Sequence, residues 1–206
     1  MANLFSDNFN RADSTDLGAS WTERIGDWAI NGNRVWLSAD AASDGVVHTA
    51  AYSTSDYTVA AIVNFLNTAG ISARIAGRRV NYGASDSNYY FVQLRRDLQE
   101  IHLYKRVSGS FTQLGSTVSV TVNVGTDYVV KLHMQGTTIK AFLDEVEKIS
   151  VTDSALAGPG DAGISVYALD GQDIKFDDFT VDDLAAGGNW GPLLGLQNNR
   201  LVQELE

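Results

Sequence analysis

The sequence predicts an all-β fold, a two-sheet antiparallel sandwich or jelly roll closed by its own two ends. Three observations carry the prediction. Large apolar residues recur at every second position along most of the chain, the period of a strand with one buried face. Nineteen glycines stand against two prolines, which suits many tight turns and few breaks in strand pairing. Two short segments at opposite ends also share a character. One is Phe5-Ser6-Asp7-Asn8-Phe9-Asn10-Arg11, followed by Leu17, Gly18 and Trp21. The other is Gly163-Ile164-Ser165-Val166, followed by Phe176-Asp177-Asp178-Phe179-Thr180-Val181. If the two segments pair, they bracket one domain.

The strands follow in order. In Tyr57-Thr58-Val59-Ala60-Ala61-Ile62-Val63 the odd positions hold the larger apolar groups. Tyr90, Val92 and Leu94 alternate with Tyr89, Phe91, Gln93 and Arg95. Ile101 and Leu103 alternate with His102, Tyr104 and Arg106. Tyr128, Val130, Leu132 and Met134 alternate with Val129, Lys131 and His133, and Ile139, Ala141 and Leu143 follow. Asn31-Gly32-Asn33, Ser108-Gly109-Ser110, Gln135-Gly136-Thr137 and Asp170-Gly171 mark the turns between them. Trp21, Trp28 and Trp36 are expected in the core. No segment before residue 184 carries a helical stripe.

Residues 1–183 therefore read as one β domain, and residues 184–206 as a hinge and C-terminal attachment arm. Ala185-Ala186-Gly187-Gly188 is the hinge. Beyond it, Trp190, Leu193, Leu194, Leu201, Val202 and Leu205 are the expected partner-binding residues of a short amphipathic helix. So short a helix needs something to bind, either a neighbouring subunit or its own domain.

Composition narrows the function classes. There is no cysteine, so disulfides and thiolate metal sites are excluded. The net charge of −10 argues against nucleic acid and against a polybasic membrane contact. No apolar run approaches a membrane span. Met1-Ala2-Asn3-Leu4 lacks the basic start of a signal peptide, so the chain is expected to be made in the cytoplasm or to have shed a leader. His48, His102 and His133 lie in no metal-ligand spacing and read as surface or structural histidines.

Several stretches, in their order, resemble the concanavalin-A-like (laminin-G-like) jelly roll. They are Asp7-Asn8-Phe9-Asn10-Arg11, Gly26-Asp27-Trp28-Ala29-Ile30, Asn88-Tyr89-Tyr90-Phe91-Val92-Gln93-Leu94, Leu103-Tyr104-Lys105 and Phe142-Leu143-Asp144. Asp153-Ser154 through Phe176-Asp177-Asp178-Phe179 completes the set. The likeness covers roughly residues 4–182. It implies a two-sheet sandwich, in a superfamily of lectins, glucanases, sugar-binding modules and adhesion domains. Similar modules recur in secreted bacterial enzymes and in bacteriophage tail and virion proteins. The usual Leu-Asp-Gly turn is here Leu143-Asp144-Glu145. No cofactor is expected, although the resemblance allows a structural calcium that joins the first and last strands. Asp7, Asp177 and Asp178 are then either its oxygen ligands or caps on strand edges.

The glucanase branch carries its acids as Glu-x-Asp-x-x-Glu or Glu-x-Asp-x-Glu on one strand, and this chain has no such motif. Glu145 and Glu147, about 7 Å apart by strand rise, come nearest and read as a solvated turn. What the sequence offers is a surface. Arg74, Tyr89, Gln93, Arg95, His102 and Tyr104 share one side of one sheet if the register holds. They form either a concave glycan-binding face or ordinary cross-strand decoration. The function expected from sequence is a non-catalytic structural or adhesion protein of a bacteriophage particle. The arm would hold it to virion subunits or to itself, and the jelly roll would meet cell-surface polysaccharide. The alternative is the carbohydrate-binding module of a secreted polysaccharide-degrading protein. A glycosidase or lyase comes last.

Overall fold

A computed structural model describes residues 2–39, 44–81, 86–168 and 173–184. The arm residues Trp190, Leu193, Leu194, Leu201, Val202 and Leu205, and the turn at Asp170-Gly171, lie outside the described residues. The strands are β1 (Asn3–Asp7), β2 (Thr22–Ile25), β3 (Asp27–Ile30), β4 (Val35–Ala39), β5 (Asp44–His48), β6 (Tyr57–Phe65), β7 (Gly70–Val80) and β8 (Asn88–Arg95). They continue as β9 (Glu100–Val107), β10 (Ser110–Ser119), β11 (Asp127–Gln135), β12 (Thr138–Leu143), β13 (Val146–Thr152), β14 (Asp161–Ala168) and β15 (Ile174–Asp183). Among the described residues there is no α-helix, and no helix long and apolar enough to cross a membrane.

Two sheets face each other. The eight-stranded sheet runs β13-β12-β11-β6-β15-β4-β3, with β1 added against β15. The seven-stranded sheet runs β10-β9-β8-β7-β14-β5-β2. Non-consecutive neighbours such as β6 between β11 and β15 are the crossovers of a jelly roll. The alternation sorts the side chains. Tyr57, Val59, Ala61, Val63 and Phe65 meet Ile75, Val92, Leu94, Ile101 and Leu103 in one core. Dense apolar burial of this kind supplies the main stabilisation of a sandwich, about 25 cal/mol per Å² of apolar surface.

The two end segments pair. Phe5, Ser6 and Asp7 of β1 lie opposite Val181, Thr180 and Phe179 of β15. Phe5, Phe9 and Phe179 converge on Trp21, whose ring lies 5.0 Å from Phe179, 5.5 Å from Phe5 and 5.6 Å from Phe9, while Phe176 meets Trp28 at 6.3 Å. Asp7 holds this corner. Its carboxylate accepts from Arg11 Nη1 at 2.6 Å, Arg11 Nη2 at 3.0 Å, Trp21 Nε1 at 2.8 Å and the Phe9 amide at 2.8 Å. Burial pushes the Asp7 carboxyl up, but these donors outweigh it and hold the group below its ordinary value.

One expectation needs correction, and two open alternatives are narrowed. Trp36 is not in the core: it is half-buried on the outer side of the eight-stranded sheet, with Lys175 Nζ 5.2 Å above its ring. Odd and even positions of β4 face opposite ways, and Val35 and Leu37 took the inner side. Of the surface and structural readings of the histidines, the structure takes the structural one: His48, His102 and His133 are all buried. The calcium reading of Asp7, Asp177 and Asp178 finds no fit. Both oxygens of Asp7 are committed to Arg11 and Trp21, and Asp177 accepts from the Asp178 amide and faces Arg34 Nε at 3.6 Å. Among the described residues no three of His, Cys, Asp and Glu are grouped as a metal would need.

The Leu143-Asp144-Glu145 turn forms a hairpin without glycine. Asp144 and Glu145 take positive φ of 50° and 64°, the conformation of a tight hairpin in which glycine is usual. The side chains of Glu145 and Glu147 then pair with Lys131 and Lys140 across the sheet surface. They are turn and edge carboxylates in ion pairs, as their position after an apolar strand predicts.

Candidate functional site

The outer face of the seven-stranded sheet is built by cross-strand register. Arg74 of β7 lies opposite Gln93 of β8, and Gln93 opposite His102 of β9. Ser165 of β14 extends this row. The next row is Ala76, Phe91, Tyr104 and Gln113. Ser72, Arg95 and Glu100 flank the rows on one side, and Tyr89, Arg106 and Phe111 on the other. All six residues picked from the sequence, Arg74, Tyr89, Gln93, Arg95, His102 and Tyr104, therefore share one face. Their inward neighbours Ile75, Tyr90, Val92, Leu94, Ile101 and Leu103 anchor the strands in the core.

The six are not equally open. Gln93 and His102 are each only 7% exposed. Gln93 Nε2 donates to Ser72 Oγ at 2.9 Å, and His102 Nε2 lies 3.0 Å from Glu100 Oε2. The Thr117 hydroxyl sits 3.3 Å from His102 Nδ1. Arg74, Tyr89, Arg95 and Tyr104 are half-buried and reach the surface. Arg95 is clamped by Asp97, with Nε at 3.0 Å from Oδ1 and Nη2 at 2.6 Å from Oδ2. The Asp97 carboxylate raises the Arg95 pKa. Burial pushes Asp97 up, and Arg95 more than offsets it, so Asp97 ends below its ordinary value.

The rings make a platform. Phe91 stacks on Tyr104 at 5.2 Å with an interplanar angle of 13°. Tyr89 lies 5.5 Å and Phe111 5.9 Å from Phe91. Phe111 is 54% exposed, a large apolar group offered to solvent at the rim. Guanidinium groups lie over the ring faces. Arg106 sits 4.7 Å over Phe111, Arg79 sits 4.6 Å over Tyr89, and Arg74 lies between Phe91 at 5.7 Å and Tyr167 at 5.8 Å.

Arg79 reaches this face only because β7 carries a bulge. Strict alternation from Ala76 would send residue 78 outward and residue 79 inward. Instead three steps along β7, from Gly77 to Val80, stand against the two steps from Tyr90 to Asn88. Arg78 takes a φ of 49° and turns its side chain to Ser55 O at 2.7 Å and Leu156 O at 2.9 Å. The Tyr57 hydroxyl accepts from the Arg78 amide and donates to Asp161 O at 3.0 Å, so the core itself pins the irregularity.

At the same end of the face lies a buried charge cluster. Asp161 is 0% exposed, with His48 Nδ1 at 3.2 Å from its Oδ2. Arg24 Nε donates to His48 Nε2 at 3.2 Å, so Nε2 is the acceptor and Nδ1 carries the proton. That proton points to Thr49 O at 2.7 Å and to Asp161. Burial raises the Asp161 pKa against the opposing pull of His48, Arg79 and Arg24.

Sequence reasoning did not single out Phe91, Arg106, Arg79, Phe111, Tyr167, Arg24, His48 or Asp161. Phe91 and Arg106 sit in the same alternation as the chosen six and were within reach. Phe111 follows from pairing β9 and β10 through the Ser108-Gly109 turn. Arg79 was hidden by the bulge, and the joining of His48 to Asp161 is tertiary.

The sequence matches no protein-family model and no curated protein. Solved structures do resemble it. A carbohydrate-binding module, CBM66, from Bacillus subtilis shares 20% identity over 80% of this chain and 96% of its own, with a TM-score of 0.67. A Bacillus subtilis protein of unknown function with a galectin-like fold aligns over 89% of this chain and 96% of its own at 12% identity, with a TM-score of 0.70. The laminarinase from Rhodothermus marinus aligns over 88% and 96% at 10% identity, with a TM-score of 0.66. At such identities the likeness establishes the fold: the chain is a concanavalin-A-like jelly roll.

Proposed function

We propose that this chain is a carbohydrate-binding module and that the outer face of the seven-stranded sheet receives the saccharide. The observation that carries the reading is the set of rings of Tyr89, Tyr104 and Phe111 packed around the buried Phe91, among arginine, glutamine and hydroxyl groups on rigid strands. Pyranose rings present C–H faces that stack on aromatic rings, while their hydroxyls need planar donors and acceptors. Support comes from the fold shared with a carbohydrate-binding module and a laminarinase. Polysaccharide is met outside the cell, so the role is an extracellular one.

The reading is binding without turnover. Glu145 and Glu147 belong to the other sheet and are held in ion pairs with Lys131 and Lys140. The particle-borne structural role expected first from the sequence rests on an arm outside the described residues, and nothing in the fold or its likenesses speaks for it. A stacked ring and two or three hydrogen bonds amount to about 3–5 kcal/mol, which is millimolar binding to one sugar unit. The test is a broad polysaccharide array probed with the chain and with Tyr104→Ala. The chain should bind at least one polysaccharide, and the variant should lose roughly tenfold, about 1.4 kcal/mol, with an unchanged unfolding midpoint. A folded chain that binds nothing on the array contradicts the proposal.

A further inference from the structure

We propose that Lys175 and Asn31 join in an intramolecular amide cross-link, with Asp13 as the proton carrier. The link belongs to the eight-stranded sheet and is independent of saccharide binding. Three segments bring its parts together. β3 and β4 turn through Gly32 and Asn33, both at positive φ, 59° and 60°, as a tight hairpin requires. The Asn31 amide donates to Arg34 O at 2.8 Å and fixes Asn31 at the mouth of this turn. β15 pairs with β4, with Lys175 opposite Trp36. Lys175 Nζ donates to Asn31 Oδ1 at 2.7 Å and to Asn31 O at 3.1 Å. The segment before β2 is pinned to β3 by the bridge of Ser14 to Ile30, which places Asp13 beside the turn. Asp13 Oδ1 accepts from the Gly32 amide at 2.8 Å, and its Oδ2 lies 3.5 Å from Asn31 Nδ2. A lysine on one side of the Asn31 amide and a carboxylate on the other decide which end is oxygen and which is nitrogen.

An amine, a carboxamide carbon and a carboxylate are the parts of an amide exchange. A C=O bond is about 1.2 Å long, so Asn31 Cγ lies within about 3.9 Å of Lys175 Nζ, close to the separation from which attack proceeds. Lysine attacks as the neutral amine. Burial lowers the Lys175 pKa, and Arg34 lowers it further, against an opposing pull from Asp13. Desolvation and a neighbouring cation are the two conditions that activate a lysine nucleophile. Lys105, Lys131 and Lys140 each hold a carboxylate. Lys175 holds an amide instead, with the Trp36 ring 5.2 Å away on one side of it.

The step balances without any added reagent. A bond forms from Nζ to Cγ, and the bond from Cγ to Nδ2 breaks. The proton lost by Nζ passes through the Asp13 carboxylate to Nδ2, which leaves as ammonia. Nothing is oxidised or reduced. Asp13 stands at the exposed rim, where ammonia escapes to solvent. The Asn31-Gly32 pair has a rival reaction, attack of the Gly32 nitrogen on the Asn31 side chain to give a cyclic imide. Here the Gly32 N–H is turned to Asp13, and the group that faces Oδ1 is the lysine. The cross-link ties the β3–β4 hairpin to the last strand. It closes a loop from residue 31 to residue 175, which restricts the unfolded chain.

The experiment is intact-mass spectrometry of the folded full chain after prolonged incubation at neutral pH, followed by tryptic mapping. The chain, with or without Met1, should weigh one ammonia less than its sequence. Trypsin should release a branched peptide that joins residues 25–34 to residues 149–200, uncut after Lys175. Lys175→Arg, Asn31→Ala and Asp13→Asn should each keep the full mass of their sequences. Lys175→Arg should also unfold roughly 10 °C below the linked chain. A folded chain at full mass, cut normally after Lys175, overturns the proposal. So does a loss of ammonia that maps to a cyclic imide at Asn31, or conversion of Asn31 to aspartate, with residues 149–175 released unbranched. Linkage as complete in Asp13→Asn as in the native chain overturns the proton path through Asp13.

Discussion

His133 shows how much one residue's surroundings differ from its place in the alternation. It lies on the outward side of β11, opposite Thr58 and Lys140, yet is only 1% exposed. Burial, reinforced by Lys140, pushes its pKa from 6.5 down to about 4, with Asp56 pulling weakly the other way. The sign follows from linkage. Between pH 6.5 and about 4 the unfolded chain binds a proton here that the folded chain refuses, so stability falls as pH falls through that window. Above pH 6.5 the group is neutral in both states and has no effect. His133→Gln should therefore flatten the acid limb of the unfolding midpoint against pH, the variant gaining on the native chain as pH falls from 7.5 to 5. Parallel curves for the two proteins would contradict this assignment. The sequence showed a histidine on the wet side of a strand, and its burial depends on tertiary surroundings that alternation does not report.

At the scale of the element, regular strands were legible and irregular ones were not. The central strands β8 and β9 read directly from their alternation because each buries one face against a continuous core. The pairing of β1 with β15 was legible from the two aromatic end segments. The bulge in β7 was not, because Gly77-Arg78-Arg79-Val80 carries no local signal that residue 78 departs from the strand. Its cause lies elsewhere, in the Tyr57 hydroxyl and in the close passage of Gly160. A β-carbon at Gly160 would fall 2.5 Å from both the Arg78 carbonyl carbon and the Arg79 oxygen, which are backbone atoms that cannot swing aside. Gly160→Ala should therefore destabilise the chain by about 1–3 kcal/mol in denaturant unfolding and displace Arg79, weakening saccharide binding at temperatures where the variant is folded. Gly158→Ala serves as the neighbour control, since its β-carbon meets nothing within 4 Å. Equal effects from the two substitutions would show that the bulge does not set Arg79.

Across the whole molecule the two outer faces have been given different work. The eight-stranded sheet carries its cations in defined pairs: Arg34 with Asp127 at 2.7 and 2.8 Å, Lys131 with Glu145, and Lys140 with Glu147. The most open of these, Lys140 with Glu147, contributes little to stability, of order 0–1 kcal/mol. The seven-stranded sheet has its own pair, Arg95 with Asp97, and adds stacked rings, an exposed phenylalanine and half of the arginines. That asymmetry appears only once the strands are assigned to sheets, because alternation alone gives every strand one wet side and does not say which wet sides adjoin. The direct test of the account is backbone amide shift mapping of the chain during titration with oligogalacturonates and with laminarin oligosaccharides. Whichever saccharide binds, the perturbed amides should cluster around Arg74, Phe91, Gln93, Tyr104 and Arg106. Perturbations centred on β11, β12 and β13 of the opposite sheet, from a saccharide that binds, would contradict the placement of the site.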